Sequence, residues 1–123
     1  MRPPAARRTP RCGGRAAGCT AADALAGLAR LGVCDIAHTP LGRLRATQRH
    51  TVALAAALLA ERPFIVLDGP NQYAPPEELA AWLHEVSAAG AAVVVTAAPD
   101  SPLDSIACAV GELRNGEILW HTQ

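Results

Sequence analysis

Apolar residues recur at helical spacing in three stretches of the chain and run without a break in two others. The order Thr20-x-x-Asp23 matches a capping box, Leu25, Leu28 and Leu31 follow three apart, and Gly32 suits a C-terminal cap, so a short helix is predicted there. A second helix is predicted from near Arg45 to Glu61, with Val52, Ala55, Ala56 and Leu59 on its apolar face and Pro63 ending it. Phe64-Ile65-Val66-Leu67-Asp68 is a continuous apolar run of strand length, which predicts a strand buried on both faces of a parallel sheet. It ends on a carboxylate. Pro76-Glu77-Glu78 opens a third helix, with Leu79, Trp82, Leu83 and Val86 at i, i+3, i+4 and i+7 and Gly90 as its cap. Ala92-Val93-Val94-Val95-Thr96 reads as a second buried strand, so strand, helix and strand make a right-handed βαβ unit whose ligand groups gather at the carboxyl ends of the strands. Ser101 to Ala107 reads as a short helix, and Val110–Arg114, Asn115-Gly116 and Glu117–Trp120 as a hairpin with a primed turn. The expected class is α/β.

The first residues, MRPPAARRTPRCGGRAAGC, break this pattern: they are rich in Arg, Pro and Gly and show no apolar period. They predict a disordered tail over 1–19 ahead of one domain over 20–123. All 11 basic residues of the 123 are Arg and none is Lys, which excludes any mechanism that uses a lysine. Five of those Arg lie before Asp23 with no acid among them, leaving six Arg against 11 acids, a formal −5, over the remainder. An Arg-rich tail without Lys or aromatic residues predicts no nucleic-acid partner. No apolar stretch approaches the roughly 20 residues of a membrane-spanning helix, and residues 1–20 lack the apolar core of a signal peptide, so a cytoplasmic location is expected. Cys12, Cys19, Cys34 and Cys108 form no C-x-x-C pair; C-x6-C at Cys12 and Cys19 is the closest spacing, and no zinc site is expected from it.

The blocks Leu44-Arg45-Ala46-Thr47-Gln48-Arg49, Phe64-Ile65-Val66-Leu67-Asp68-Gly69-Pro70, Pro76-Glu77-Glu78-Leu79 and Val93-Val94-Val95-Thr96 stand in the order and at the intervals of a known arrangement. From about Ala21 to Trp120 the sequence resembles the second half of an ABC transporter ATPase cassette, with a degenerate signature, a Walker B strand and the strand before the switch histidine. The resemblance implies a partial P-loop NTPase-like parallel sheet with flanking helices and a C-terminal hairpin.

It also implies what to look for in the site. The family's phosphate-binding loop, with its Lys, has no counterpart here; Gly13-Gly14-Arg15 follows no strand and reads as loop composition. Asp68 occupies the place of the Walker B Asp that helps hold Mg²⁺, while the Glu that polarises water in the family is replaced by Gly69. Glu77 and Glu78 suit the dipole of their own helix instead. The switch histidine falls at Ala97, the D-loop Asp at Pro75 and the Thr or Ser after the Walker B Pro at Asn71. His38, His50, His84 and His121 fill none of these places. Arg45-Ala46-Thr47 stands where the signature has Ser and two Gly, so Arg45, Thr47 and Gln48 are the candidate nucleotide contacts, against the plainer reading in which Thr47 only caps its helix. The expectation is an ABC ATP-binding subunit that does not hydrolyse ATP alone and acts as a partner or regulatory half-cassette, sharing Mg-ATP with a complete ATPase subunit. Through that subunit it would reach a membrane permease, at the inner face of the membrane. A homodimer through the unpaired sheet edge is a further expectation. The alternatives are a non-catalytic interaction domain that keeps only the cassette-like core, and an enzyme of another kind using Asp68, Asp100 or Asp104 with a cysteine.

Overall fold

The computed structural model of the chain describes residues 20–122, so the tail expected over 1–19, with Cys12 and Cys19, lies outside the described residues. Helix α1 spans Ala21–Arg30, α2 Ala46–Leu59 and α3 Pro76–Ala88; strands β1 and β2 span Phe64–Asp68 and Ala92–Thr96, and β3 and β4 span Ala109–Arg114 and Glu117–Thr122. Short 3₁₀ turns occupy Cys34–Ile36, Leu41–Arg43, Pro70–Gln72 and Pro102–Ile106.

The helix ends follow the sequence signals closely. The Thr20 hydroxyl accepts from the Asp23 N–H (3.2 Å) and the Asp23 carboxylate accepts from the Thr20 N–H (2.8 Å), a reciprocal box that also holds the Asp23 carboxyl below its ordinary range. At the other end of α1, Gly32 takes φ +75°, its N–H reaches the Ala29 carbonyl and the Val33 N–H reaches that of Leu28, the paired bonds of a Schellman motif. The same pattern closes α3: Gly90 bonds to Ser87 and Ala91 to Val86. Asn115 and Gly116 both adopt positive φ, giving the primed turn between β3 and β4.

β1 and β2 pair in parallel from Phe64↔Ala92 to Asp68↔Thr96, with α3 as the crossover. Ile65 and Leu67 of β1 point into a core made with Leu54, Ala55 and Leu58 of α2 and Leu79, Trp82 and Leu83 of α3, and Val93 and Val95 of β2 pack on its edge. Leu79 at its centre is fully buried. The expected two-sided burial of β1 is not met: burial alternates, and Phe64 and Val66 face solvent. The physical reason is that α2 and α3 cover one face of the sheet and nothing among the described residues covers the other. The apolar face of α2 also differs from the one expected. Thr51, Leu54, Ala55 and Leu58 are buried, whereas Ala56 is exposed and Val52 and Leu59 are half-buried. In an alanine-rich helix several stripes look alike, and the one holding two leucines wins because it removes more apolar area from water. Leu25 of α1 is likewise exposed, and Gly27 takes the buried place.

Gly27 is where α1 presses onto the body. A β-carbon there would stand 3.0 Å from both Leu59 Cδ1 and a ring carbon of Trp82. Across the same joint the Arg30 guanidinium lies 4.8 Å over the Trp82 ring, bonds both oxygens of Glu85 (2.8 and 3.0 Å) and approaches Glu78 at 3.5 Å. The Glu85 carboxyl is accordingly lowered and the Arg30 guanidinium raised from their ordinary values. Gly27→Val is therefore expected to cost about 1–3 kcal/mol by overpacking, read as a lower urea midpoint with an unchanged slope. Wild-type stability in that variant would contradict the close approach.

Candidate functional site

Two separate regions hold the residues singled out from the sequence. The first is the carboxyl edge of the parallel sheet, where β1 and β2 end level on Asp68 and Thr96. Their side chains share the sheet face turned away from α2 and α3, because successive residues of a strand point to opposite faces and Leu67 and Val95 point inward. The Thr96 hydroxyl donates a short hydrogen bond to Asp68 Oδ1 and accepts one from the Gly69 N–H at 3.1 Å. That chain of donors aims the carboxylate and leaves one of its oxygens for a ligand. A shallow depression of about 280 Å³ opens beside it, lined further by Asn71, Gln72, Ala97 and Ala98.

Among the described residues Asp68 is the single carboxylate on this depression, and no group of three His, Cys, Asp or Glu side chains is placed to hold a metal ion. Mg²⁺ is usually held by one or two carboxylates together with phosphate oxygens. The donor set thus suits Mg²⁺ only alongside a bound nucleotide, with Asp68 as the residue that would hold it. Gly69 has a backbone conformation that residues with side chains rarely adopt. It sits at φ +57°, ψ +42°, in the left-handed region, and a β-carbon there would come within 2.9 Å of Gln72 Nε2. A glutamate at this position would carry roughly 1–2 kcal/mol of backbone cost and push Gln72 aside.

The second region is the start of α2. Arg45 is the N-cap, Thr47 lies exposed in the first turn, and Gln48 turns its side-chain oxygen back to accept the Arg45 N–H at 2.9 Å. Thr47 therefore is not the cap, because the helix begins at Ala46 and Thr47 lies inside its first turn; the bond back to the N-cap is made by Gln48. Arg45 and Thr47 are left facing solvent. None of Arg45, Thr47 and Gln48 lines the depression at Asp68, so the structure does not bring the two groups of candidates together.

A clamp that the sequence did not announce joins α2 to the loop after Asp68. The buried Thr51 hydroxyl lies 2.8 Å from the Tyr73 carbonyl and 3.0 Å from that of Thr47, and the His50 ring stacks on Tyr73 at 4.5 Å. Glu77 and Glu78 stand exposed in the first turn of α3, as the dipole argument expects. Cys34 and Cys108 are exposed free thiols.

This fold, with its Asp-terminated strand and crossover helix, matches part of the fold of an ATP-binding cassette. It is similar to two solved structures of MJ1267, an ATP-binding cassette of an ABC transporter. One, from a characterisation of its twinning, has a TM-score of 0.59 and 19% identity over 82% of this chain, and the other, in the ADP conformation, has 0.56 and 20% over 83%. In sequence, 58 residues are 41% identical to the cytochrome c biogenesis ATP-binding export protein CcmA of Paraburkholderia xenovorans (strain LB400), a match over 47% of this chain and 25% of that protein. No protein-family model matches the chain. The chain thus resembles an ABC ATPase cassette and spans less than half of it, 42% of each solved structure.

Thr51→Val keeps the shape of the clamp and removes its hydroxyl. It is expected to lower stability by about 1–2 kcal/mol, since the Tyr73 carbonyl loses its donor. A chemical denaturation curve that coincides with wild type would show that the clamp does not tie α2 to the loop.

Proposed function

We propose that this chain is an ATP-binding cassette-like subunit that does not hydrolyse ATP alone and presents the Arg45–Gln48 turn to a nucleotide held by a complete cassette. The observation that carries the reading is the charge at the start of α2. No acid occurs between Asp35 and Glu61, and among the described residues Arg43, Arg45 and Arg49 enter no ion pair, on a body that is otherwise acidic. A helix N-terminus flanked by exposed guanidinium groups suits an anion such as a terminal phosphate. Arg45 would bond it, Thr47 would add a hydroxyl, and Gln48 holds the turn by its cap. Asp68 would serve a Mg²⁺ that arrives with nucleotide. Hydrolysis would fall to the partner, because Gly69 offers no group to orient water and the chain has no lysine.

In this reading a permease is reached through the partner, and the chain sits at the inner face of the membrane as a peripheral subunit. Among the described residues no helix is long and apolar enough to cross a membrane. The 58-residue likeness to CcmA favours an export system of cytochrome c biogenesis as the setting.

The test is to add the chain to purified, complete CcmA with Mg-ATP and follow phosphate release. The expected outcome is a changed rate that saturates with added chain and falls roughly 10-fold in effect with Arg45→Ala, the size of a lost charge-assisted hydrogen bond. A rate untouched by excess chain, with no complex formed, would instead favour an interaction domain that keeps the cassette core without its nucleotide contacts.

A further inference from the structure

We infer that Tyr73 couples the start of α2 to the Asp68 depression: His50 and Thr51 of the helix grip it, so the order of the loop beside Asp68 follows the order of the helix's first turn. The inference goes beyond the functional reading and holds whether or not a partner is present.

The loop over 69–75 leaves β1 at Asp68 and supplies Asn71 and Gln72 to the depression. Its own bonds are local. The Gln72 N–H reaches the Gly69 carbonyl at 3.2 Å and the Tyr73 N–H that of Pro70 at 3.0 Å, a single 3₁₀ turn. One turn fixes several dihedrals for very few bonds and does not hold itself together. At its start the Gly69 N–H is fixed to Thr96 and Pro70 is buried, and at its end Ala74 packs on the core. Between those ends, among the described residues, the hydrogen bond that ties the loop to another element is the one from Thr51 to the Tyr73 carbonyl.

Thr51 and its neighbour hold one loop residue in two ways. The Thr51 hydroxyl fixes the main chain of Tyr73, and the exposed His50 ring lies on its side chain, 4.5 Å away and within 9° of parallel. The same hydroxyl looks back into the helix. It has one proton and two acceptors in reach, the Tyr73 carbonyl at 2.8 Å and the Thr47 carbonyl at 3.0 Å. Thr47 belongs to the first turn of α2, the turn that Gln48 ties to the Arg45 N–H. While that turn is wound, the Thr47 carbonyl accepts the N–H four residues on, and the hydroxyl proton is left for Tyr73. When the turn frays, the Thr47 carbonyl loses its helical donor and competes for that proton, and the helical segment bearing His50 and Thr51 loosens with it.

The two candidate regions are then linked without touching. An anion that orders the Arg45–Gln48 turn orders the edge of the depression, and a cation held at Asp68 favours the wound turn by the same factor.

The test is a double-mutant cycle on the full chain, read at the loop. Tyr73 is the single tyrosine of the sequence, so labelling with 3-fluorotyrosine gives one fluorine NMR signal, and hydrogen exchange follows the Gln72 and Tyr73 amides relative to those of β1. Gln48→Ala, which removes the bond to the N-cap, is expected to move the Tyr73 signal and speed exchange of the two loop amides roughly 5-fold, the weight of a lost cap. In a His50→Ala/Thr51→Val background the loop already exchanges fast, and Gln48→Ala adds nothing further. If that background does not fold, His50→Ala alone, at an exposed position, takes its place and is expected to shrink the effect of Gln48→Ala. A Tyr73 signal and loop exchange indifferent to Gln48→Ala, or an effect of undiminished size once the clamp is weakened, would overturn the inference. Either result leaves phosphate release with CcmA to judge the functional reading separately.

Discussion

Everything placed in this chain depends on a short parallel sheet covered on one side. Ile65 and Leu67 reach down from β1 onto Leu79 and Leu83 of the crossover helix and onto Leu54 and Leu58 of α2, and this one layer of apolar contacts is the core. Parallel pairing obliges the chain to cross over through α3, and the crossover sets Asp68 level with Thr96. The same arrangement leaves Phe64, Val66 and Val94 on the open side. The site and the bare face are thus two consequences of one constraint.

Local signals were legible in the sequence where a single residue type has a single backbone use. Thr20 with Asp23, Gly32, Gly90 and Asn115-Gly116 each mark an end or a turn, and the structure uses each of them so. The α3 stripe was legible for a different reason, since Leu79, Trp82 and Leu83 are large and their neighbours are not. The face of α2 was not, because alanine fills several stripes alike and only tertiary contact chooses between them. The apolar run of β1 reported what the strand is suited to, burial on both faces, and had no means of reporting that one face is left open. The sequence placed Asp68 and Thr96 at the carboxyl ends of two strands, and the hydrogen bond between them came only with the register of the pair. The Thr51–Tyr73 clamp joins residues far apart in sequence by a side-chain to backbone bond, for which no local pattern exists.

The two candidate regions lie on separate surfaces. Asp68 lies at a sheet edge with one carboxylate, a glycine in the left-handed conformation beside it and no lysine anywhere in the chain. Arg45 and Thr47 lie elsewhere, on an exposed and acid-free turn that α2 and its clamp hold in place. Under the proposed function each region would be one side of a phosphate site, and the two do not meet in this chain. The chain spans 42% of each of the solved cassettes it resembles.

The most direct measurement is calorimetric titration of Mg-ATP into the purified chain alone. No saturable heat is expected, because one carboxylate and one helix start on separate surfaces do not enclose a triphosphate. Saturable binding by the chain alone that disappears with Asp68→Ala would contradict it.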